Sequence, residues 1–231
     1  MTDWLGDWLG PQEWQAVVLS LKVSAVATVA GLPFAIAMAW LLARRRFPGH
    51  DLLSGLVYLP LILPPVVTGY LLLISFGTRG PIGGLLKPFG IVFAFRWTGA
   101  ALASAIMAFP LVVRAIRLGF EQVDPRLEQA AATLGAPRIW IFLTVTLPLV
   151  LPSILAGATL GFAKAMGEFG ATITFVSNIP GQTQTLPSAI YALLSTPDGE
   201  GAAMRLVLVS VVIAIGSVLI SEALARRMAR R

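Results

Sequence analysis

The stretch at 127–148, LEQAAATLGAPRIWIFLTVTLP, lies between two long apolar segments and differs from both of them. It begins as a short Ala-rich run, turns at Gly135, and resumes as a second short amphipathic run. Glu128, Ala131 and Leu134 are three residues apart, so they would share one face of a helix. Gly135 would end that helix as a C-cap. The pattern therefore predicts a helix-turn-helix of soluble character between two apolar segments.

Two interpretations of this element follow from its pattern alone. A short helix with one polar and one Ala-rich face is suited to a groove of a cytosolic partner, because small side chains allow close approach. An amphipathic loop that lies on the lipid surface has the same pattern. The pattern supports both interpretations equally.

The composition of the chain indicates an integral membrane protein. Of the 231 residues, 57% are hydrophobic and only 12% are charged, which is too little charge to cover a water-soluble domain. The run at 16–42 is long enough to cross a hydrocarbon core of ~30 Å at ~1.5 Å per helical residue. The alternating segments of about ten residues that a transmembrane barrel needs are not found. We therefore predict an all-α membrane protein.

Five spans are predicted, and the distribution of Lys and Arg gives them an orientation. Eleven of these residues lie after the first span, in or at the edges of the connection between the third and fourth spans, and at the C-terminus, against four on the opposite side. The richer side is cytoplasmic by the positive-inside rule, so the N-terminus is predicted outside and the C-terminus inside. The single transmembrane domain at 1–231 then has spans at 13–43, 52–76, 98–119, 148–172 and 205–225, with cytoplasmic helices at 126–147.

Several kinds of chemistry are excluded by residue type. The chain has no cysteine, which removes disulfides and thiolate metal sites. A phosphate-binding GxxxxGK[ST] loop needs a lysine after glycine, whereas Lys22, Lys87 and Lys164 follow Leu, Leu and Ala. Most of the arginines lie beside span ends, as topology determinants do, so nucleic acid is not a predicted partner. No catalytic, cofactor or metal residue is predicted, and the chain is not expected to be an enzyme.

The spacing within the opening stretch resembles the cytoplasmic loop of import-type ABC transporter permeases. That loop reads EAA, three residues, Gly, nine residues, Ile-x-Leu-Pro; here QAA at 129–131, Gly135 and VTLP at 145–148 have the same spacing. Gln replaces the family's Glu, with Glu128 one position earlier, and Val replaces Ile. The resemblance implies that the residues coupled to an ATPase are Glu128, Gln129, Ala130, Ala131, Leu134, Gly135, Leu147 and Pro148.

Further stretches resemble the molybdate permeases within this family. They are EWQAVVLSLKVS at 13–24, LPLILPPVVTGYLLL at 59–73, FPLVVRAIRLGFEQVD at 109–124 and GEFGATITFVSNIPGQT at 167–183. The resemblance implies a type I importer fold and a homodimer in the bacterial inner (cytoplasmic) membrane. It also implies two cytoplasmic ATPase subunits that bind ATP and Mg²⁺, and a periplasmic molybdate-binding protein. Sulfate and tungstate permeases share the loop, so these anions are alternative substrates.

A translocation path is predicted from prolines and polar residues within the spans. Pro64 and Pro65 interrupt the second span, and proline there leaves carbonyls that face protein or water. Lys164 and Glu168 share a helical face. They either form an ion pair that holds the bundle together, or Lys164 binds a dianion transiently as it passes. Pairing is favoured, because a tight cationic site would trap the anion. Neutral hydrogen-bonding residues along the path are Thr68, Ser104 and Thr172.

A stand-alone channel or ion-coupled carrier is the alternative from another functional class. Such carriers often contain an internal repeat with paired broken helices, and no duplication is evident in this sequence. A carrier would also leave the 127–148 loop without a purpose. The sequence therefore favours the permease subunit of an ATP-driven importer.

Overall fold

The computed structural model describes residues 8–229, and every regular element in this range is a helix. The helices are α1 (Pro11–Arg44), α2 (His50–Ile62), α3 (Pro65–Phe76), α4 (Pro81–Leu86), α5 (Trp97–Gln122), α6 (Pro125–Thr133), α7 (Arg138–Ile141), α8 (Leu147–Met166), α9 (Gly170–Val176), α10 (Leu186–Leu194) and α11 (Glu200–Ala229). A 3₁₀ turn (Lys87–Phe89) follows α4, and a π-helical turn (Phe142–Thr146) joins α7 to α8. The prediction of an all-helical chain is confirmed.

Four helical runs in the described range are long and apolar enough to cross a membrane, and a bent pair of helices is the fifth candidate. The four runs are Pro11–Arg44, Trp97–Gln122, Arg138–Met166 and Glu200–Ile220. The bent pair consists of α2 and α3, whose axes differ by 112°. The chain therefore has four candidate spans, or five if the bent pair counts as one.

The predicted second span at 52–76 is broken by its prolines. Leu63 and Pro64 have ψ of 145° and 134°, and each precedes a proline, whose ring disfavours helical backbone in the preceding residue. Two successive extended residues end α2 and allow α3 to start in a new direction at Pro65. The irregular backbone predicted here is present as a sharp bend.

The predicted fourth span at 148–172 is also two helices. α8 ends at Met166, and α9 begins at Gly170 after a three-residue break. The carboxylate of Glu168 accepts a hydrogen bond from the Ala171 N–H at 3.0 Å, which satisfies a free donor of the first turn of α9. Apolar composition alone predicts one helix here, because the side-chain cap that starts a new helix carries no hydropathy signal.

The centre of the bundle is formed by α1, α5 and α8. Gly157 and Gly161 on α8 face Ile116 and Val112 on α5, and a Cβ at Gly161 would lie 2.6 Å from Val112 Cγ2. Small residues one turn apart allow two helices in a membrane to approach closely. This packing fixes the start of α8 relative to α5, and so positions the loop between them.

Candidate functional site

The first short helix of the 127–148 loop has a well-formed N-terminus. The Asp124 carboxylate accepts a hydrogen bond from the Arg126 N–H at 2.9 Å, and Pro125 is the first helical residue. Aspartate at this cap satisfies a free backbone donor, and proline at the first position loses no helical hydrogen bond. The local sequence is therefore sufficient to start α6.

The same helix ends in a glycine cap. Gly135 has φ +83°, a left-handed conformation that glycine adopts without steric cost. Its N–H donates to the Ala132 carbonyl at 3.0 Å, and the Ala136 N–H donates to the Ala131 carbonyl at 3.4 Å. This pair of bonds is a Schellman motif. It turns the chain sharply from α6 into α7.

Glu128 connects α6 to two other elements. Its Oε1 accepts a hydrogen bond from Thr146 Oγ1 at 2.7 Å and from Arg44 Nη2 at 3.1 Å. Arg44 ends α1, and its Nη2 also donates to the Val123 carbonyl at 3.4 Å. Hydrogen bonds to ionised groups are stronger than neutral ones. We call Arg44, Glu128 and Thr146 the polar joint, because they connect α6 to the end of α1 and to the π-helical turn.

The residues predicted to share one face of α6 differ in exposure in the structure. Glu128 and Ala131 are half-buried, whereas Leu134 is 88% exposed. The polar joint directs Glu128 towards the bundle, so Glu128 is not part of the α6 face that is available to another molecule. Gln129 and Ala130 are exposed. Sequence reasoning missed Arg44 and Thr146, since nothing distinguishes Arg44 from the two arginines that follow it.

The loop exposes large apolar side chains. Leu134, Ile139 and Trp140 are 88%, 72% and 59% exposed. A group of exposed large apolar residues marks a surface for another protein or for lipid. A cleft of about 750 Å³ separates the loop from α1 and is lined in part by Trp40 and Gln129. The loop is therefore held to α1 by the polar joint and open beside it.

The π-helical turn allows the chain to enter α8 at a proline. The Leu147 N–H donates to the Phe142 carbonyl, five residues earlier. Pro148 has no N–H, and its ring would collide with the carbonyl four residues before it in a regular helix. One wider turn removes that collision, and such turns are frequent at functional sites. The predicted coupling residues Leu147 and Pro148 thus mark a local change of helix geometry.

The two charged residues predicted in the path form an ion pair. Lys164 Nζ lies 2.8 Å from Glu168 Oε2, and the side chains are 33% and 2% exposed. The other Glu168 oxygen accepts the hydrogen bond from Ala171. Both carboxylate oxygens are therefore bonded within the chain, which is the arrangement that the pairing interpretation expects. The path-lining interpretation remains a prediction.

The remaining path residues lie where α3, α5 and α9 pack together. Thr68, Ser104 and Thr172 are 6%, 1% and 2% exposed. The Thr172 hydroxyl donates to the Phe169 carbonyl at 2.9 Å, whereas the Thr68 and Ser104 hydroxyls have no hydrogen-bond partner among the described residues. Buried hydroxyls without a partner are uncommon in folded proteins. These residues therefore lie inside the protomer in this structure.

The two helix breaks are in direct contact. A Cβ at Gly170 would lie 2.7 Å from the Pro65 Cβ, and a Cβ at Gly69 would lie 2.5 Å from the Ala171 carbonyl oxygen. Backbone can approach this closely only at glycine. The predicted residues Pro64 and Pro65 are thus part of one junction with the start of α9.

Comparison with known proteins assigns this architecture to a family. Residues 31–230 match the binding-protein-dependent transport system inner membrane component. The molybdenum transport system permease protein ModB of Escherichia coli (strain K12) is 62% identical over 93% of this chain and 94% of that protein. ModB of Haemophilus influenzae is 54% identical over 95% of this chain and 96% of that protein. The sulfate transport system permease protein CysT of Salmonella typhimurium is 38% identical over 83% of this chain and 69% of that protein.

Solved structures show the same fold. A chain in the crystal structure of a bacterial ABC transporter involved in the import of the acidic polysaccharide alginate has a TM-score of 0.76 at 19% identity. The match covers 97% of this chain and 82% of that chain. The predicted fold of an ABC importer permease is confirmed. With the family match over most of its length, the chain belongs to the binding-protein-dependent transport system inner membrane components.

Proposed function

We propose that this chain is the permease subunit of an ATP-driven importer that moves molybdate from the periplasm to the cytoplasm. The similarity to molybdenum permeases over nearly the whole chain carries this proposal. The functional unit is a homodimer in the bacterial inner membrane, with the N-terminus of each protomer outside and the C-terminus in the cytoplasm. A periplasmic binding protein delivers the anion to its outer face.

ATP hydrolysis belongs to two cytoplasmic ATPase subunits, which bind ATP and Mg²⁺. The 127–148 loop offers them Leu134, Ile139 and Trp140, which are exposed. Movement of a docked ATPase would be passed through α6 to Glu128, and from there to α1 through Arg44 and to the π-helical turn through Thr146. The polar joint is suited to this role, because hydrogen bonds to a charged group fix α6 relative to both elements.

The path for the anion lies between the two protomers, beside the junction of the helix breaks. Irregular backbone within a membrane is tolerated where it is buried in protein or lines a water-filled cavity. Broken helices also form the central binding regions of many transporters. Close packing of Pro65 against Gly170 is suited to coupling the two breaks, so we assign the change of access to this junction.

Sulfate is the second candidate substrate, and the similarity to CysT favours it. Uptake of labelled molybdate separates the two, measured in cells that lack this chain and in cells in which it is restored, at increasing sulfate concentration. Restored uptake that resists a large sulfate excess supports the molybdate proposal. Uptake abolished by modest sulfate assigns the chain to sulfate import. Failure to restore uptake of labelled molybdate, and of labelled sulfate in a parallel assay, with the complex assembled, would contradict both assignments.

A further inference from the structure

An apolar groove lies on the surface of the bundle between α1, α2 and α5. Its volume is about 590 Å³, and its lining includes Val26, Phe34, Pro60, Trp97 and Phe109. Trp97 and Phe109 are twelve residues apart on α5, which corresponds to ~18 Å along a helix. One leaflet of a bilayer has about half of the ~30 Å hydrocarbon thickness. The groove therefore has the length of a single leaflet.

A lysine of α1 lies at the end of this groove where α5 begins. Lys22 precedes Val26 by one helical turn, and its Nζ is 3.7 Å from the centroid of the Trp97 ring. Lys22 is exposed, and no acidic side chain that the structure describes pairs with it. Arg96, the residue before Trp97, is also exposed and has no salt bridge to any described acidic side chain. Two cations therefore flank the end of an apolar groove.

The exposed charge of Lys22 favours an anionic partner. A cation within a span is costly unless it reaches the interface or meets an anion. Contact with the Trp97 ring offsets part of that cost, but the ammonium group has three donors. A free anion would satisfy the charge and leave the groove empty. An amphiphile with an anionic head would satisfy both features.

We propose that Lys22 and the groove bind an acidic glycerophospholipid. The phosphate lies against Lys22, with Arg96 beside it, and one acyl chain follows the groove towards Phe109. A second copy of the chain is a poorer occupant, because it would enclose Lys22 without a counter-charge, and enclosing an uncompensated charge is costly. The site is independent of the transported anion, and nothing in the path or the polar joint contributes to it.

Native mass spectrometry of the full-length chain, purified from membranes with its accompanying subunits, tests this proposal. The probes are dioleoyl phosphatidylglycerol and dioleoyl phosphatidylcholine, which have the same acyl chains. Phosphatidylglycerol should bind more tightly, and Lys22→Gln should lower its affinity roughly fivefold, since one cation near an anionic lipid contributes about 1 kcal/mol. Lys22→Arg should restore binding. Lys87→Gln, which removes another exposed lysine outside the groove, should have no effect.

A groove-filling variant separates the acyl chain from the headgroup. Ala30 is exposed and lines the groove, so Ala30→Phe should reduce phosphatidylglycerol binding while Lys22 stays intact. Equal binding of the two lipids by the unmodified chain, or equal effects of Lys22→Gln and Lys87→Gln, would overturn the proposal. Cross-linking of Ala30→Cys to the same position of a second protomer would also overturn it, because the groove would then belong to the dimer.

Discussion

The 127–148 loop and the break between α8 and α9 both interrupt long helical runs, but they differ in the exposure of their side chains. In the loop, Leu134 and Ile139 are 88% and 72% exposed. At the break, Glu168 is 2% exposed, and both of its carboxylate oxygens are bonded within the chain. The loop leaves apolar surface available to another molecule, whereas the break satisfies its polar groups within one protomer.

This difference indicates how each region responds to substitution. The loop is attached to α1 through the polar joint and has a cleft beside it, so changes there should alter contact with a partner more than folding. The break packs glycine against backbone, as at Gly69 and Ala171, so changes there should alter folding first. Substitutions in the two regions can therefore test whether they have separate roles.

The largest effect on partner binding is expected from Gly135→Val. The Gly135 φ of +83° strains a β-branched residue, although none of the described atoms would meet its Cβ within 4 Å. Strain of this kind costs about 1–3 kcal/mol, so co-purification of the ATPase with this chain should fall by about 5- to 150-fold. Gly49→Val is the matched control, because Gly49 has φ +88° and equally open surroundings outside the loop. Unchanged ATPase binding by Gly135→Val would contradict the docking role.

A smaller effect is expected from Glu128→Gln, which should weaken the coupling of ATP hydrolysis to transport. The substitution removes the charge from the polar joint and leaves the exposed apolar residues in place. A hydrogen bond to a charged group contributes about 1.5–3 kcal/mol, so transport per ATP hydrolysed should fall about tenfold while ATPase binding is retained. Glu121→Gln is the control, since it breaks the exposed pair with Arg117. Equal effects of the two substitutions would show that the polar joint has no specific role in coupling.

The smallest effect on transport is expected from Lys164→Met. If the ion pair with Glu168 is structural, the variant should yield less assembled complex, because a buried carboxylate loses its partner. The complexes that do assemble should transport within about threefold of the unmodified rate, the range of a partly exposed ion pair. Complete loss of uptake in normally assembled complexes would instead assign Lys164 to the path.

Local chemistry made much of the fold predictable. The helical class follows from long apolar runs, and the turn at Gly135 follows from cap chemistry that depends on a few adjacent residues. The prolines predicted irregular backbone at 64–65, but the 112° bend also depends on packing against α9. Arg44 and Glu128 are 84 residues apart, so their contact depends on tertiary structure that no local pattern encodes.

The central claim is that the 127–148 loop is the surface on which an ATPase docks. The chain contains no cysteine, so Leu134→Cys creates a single reactive position at a residue that is 88% exposed. Leu85→Cys, at a position 73% exposed on the side predicted to be periplasmic, is the control. In membranes that contain the whole complex, a short bifunctional reagent should cross-link position 134, but not position 85, to the ATPase. Failure of position 134 to cross-link, with the complex assembled, would contradict the account.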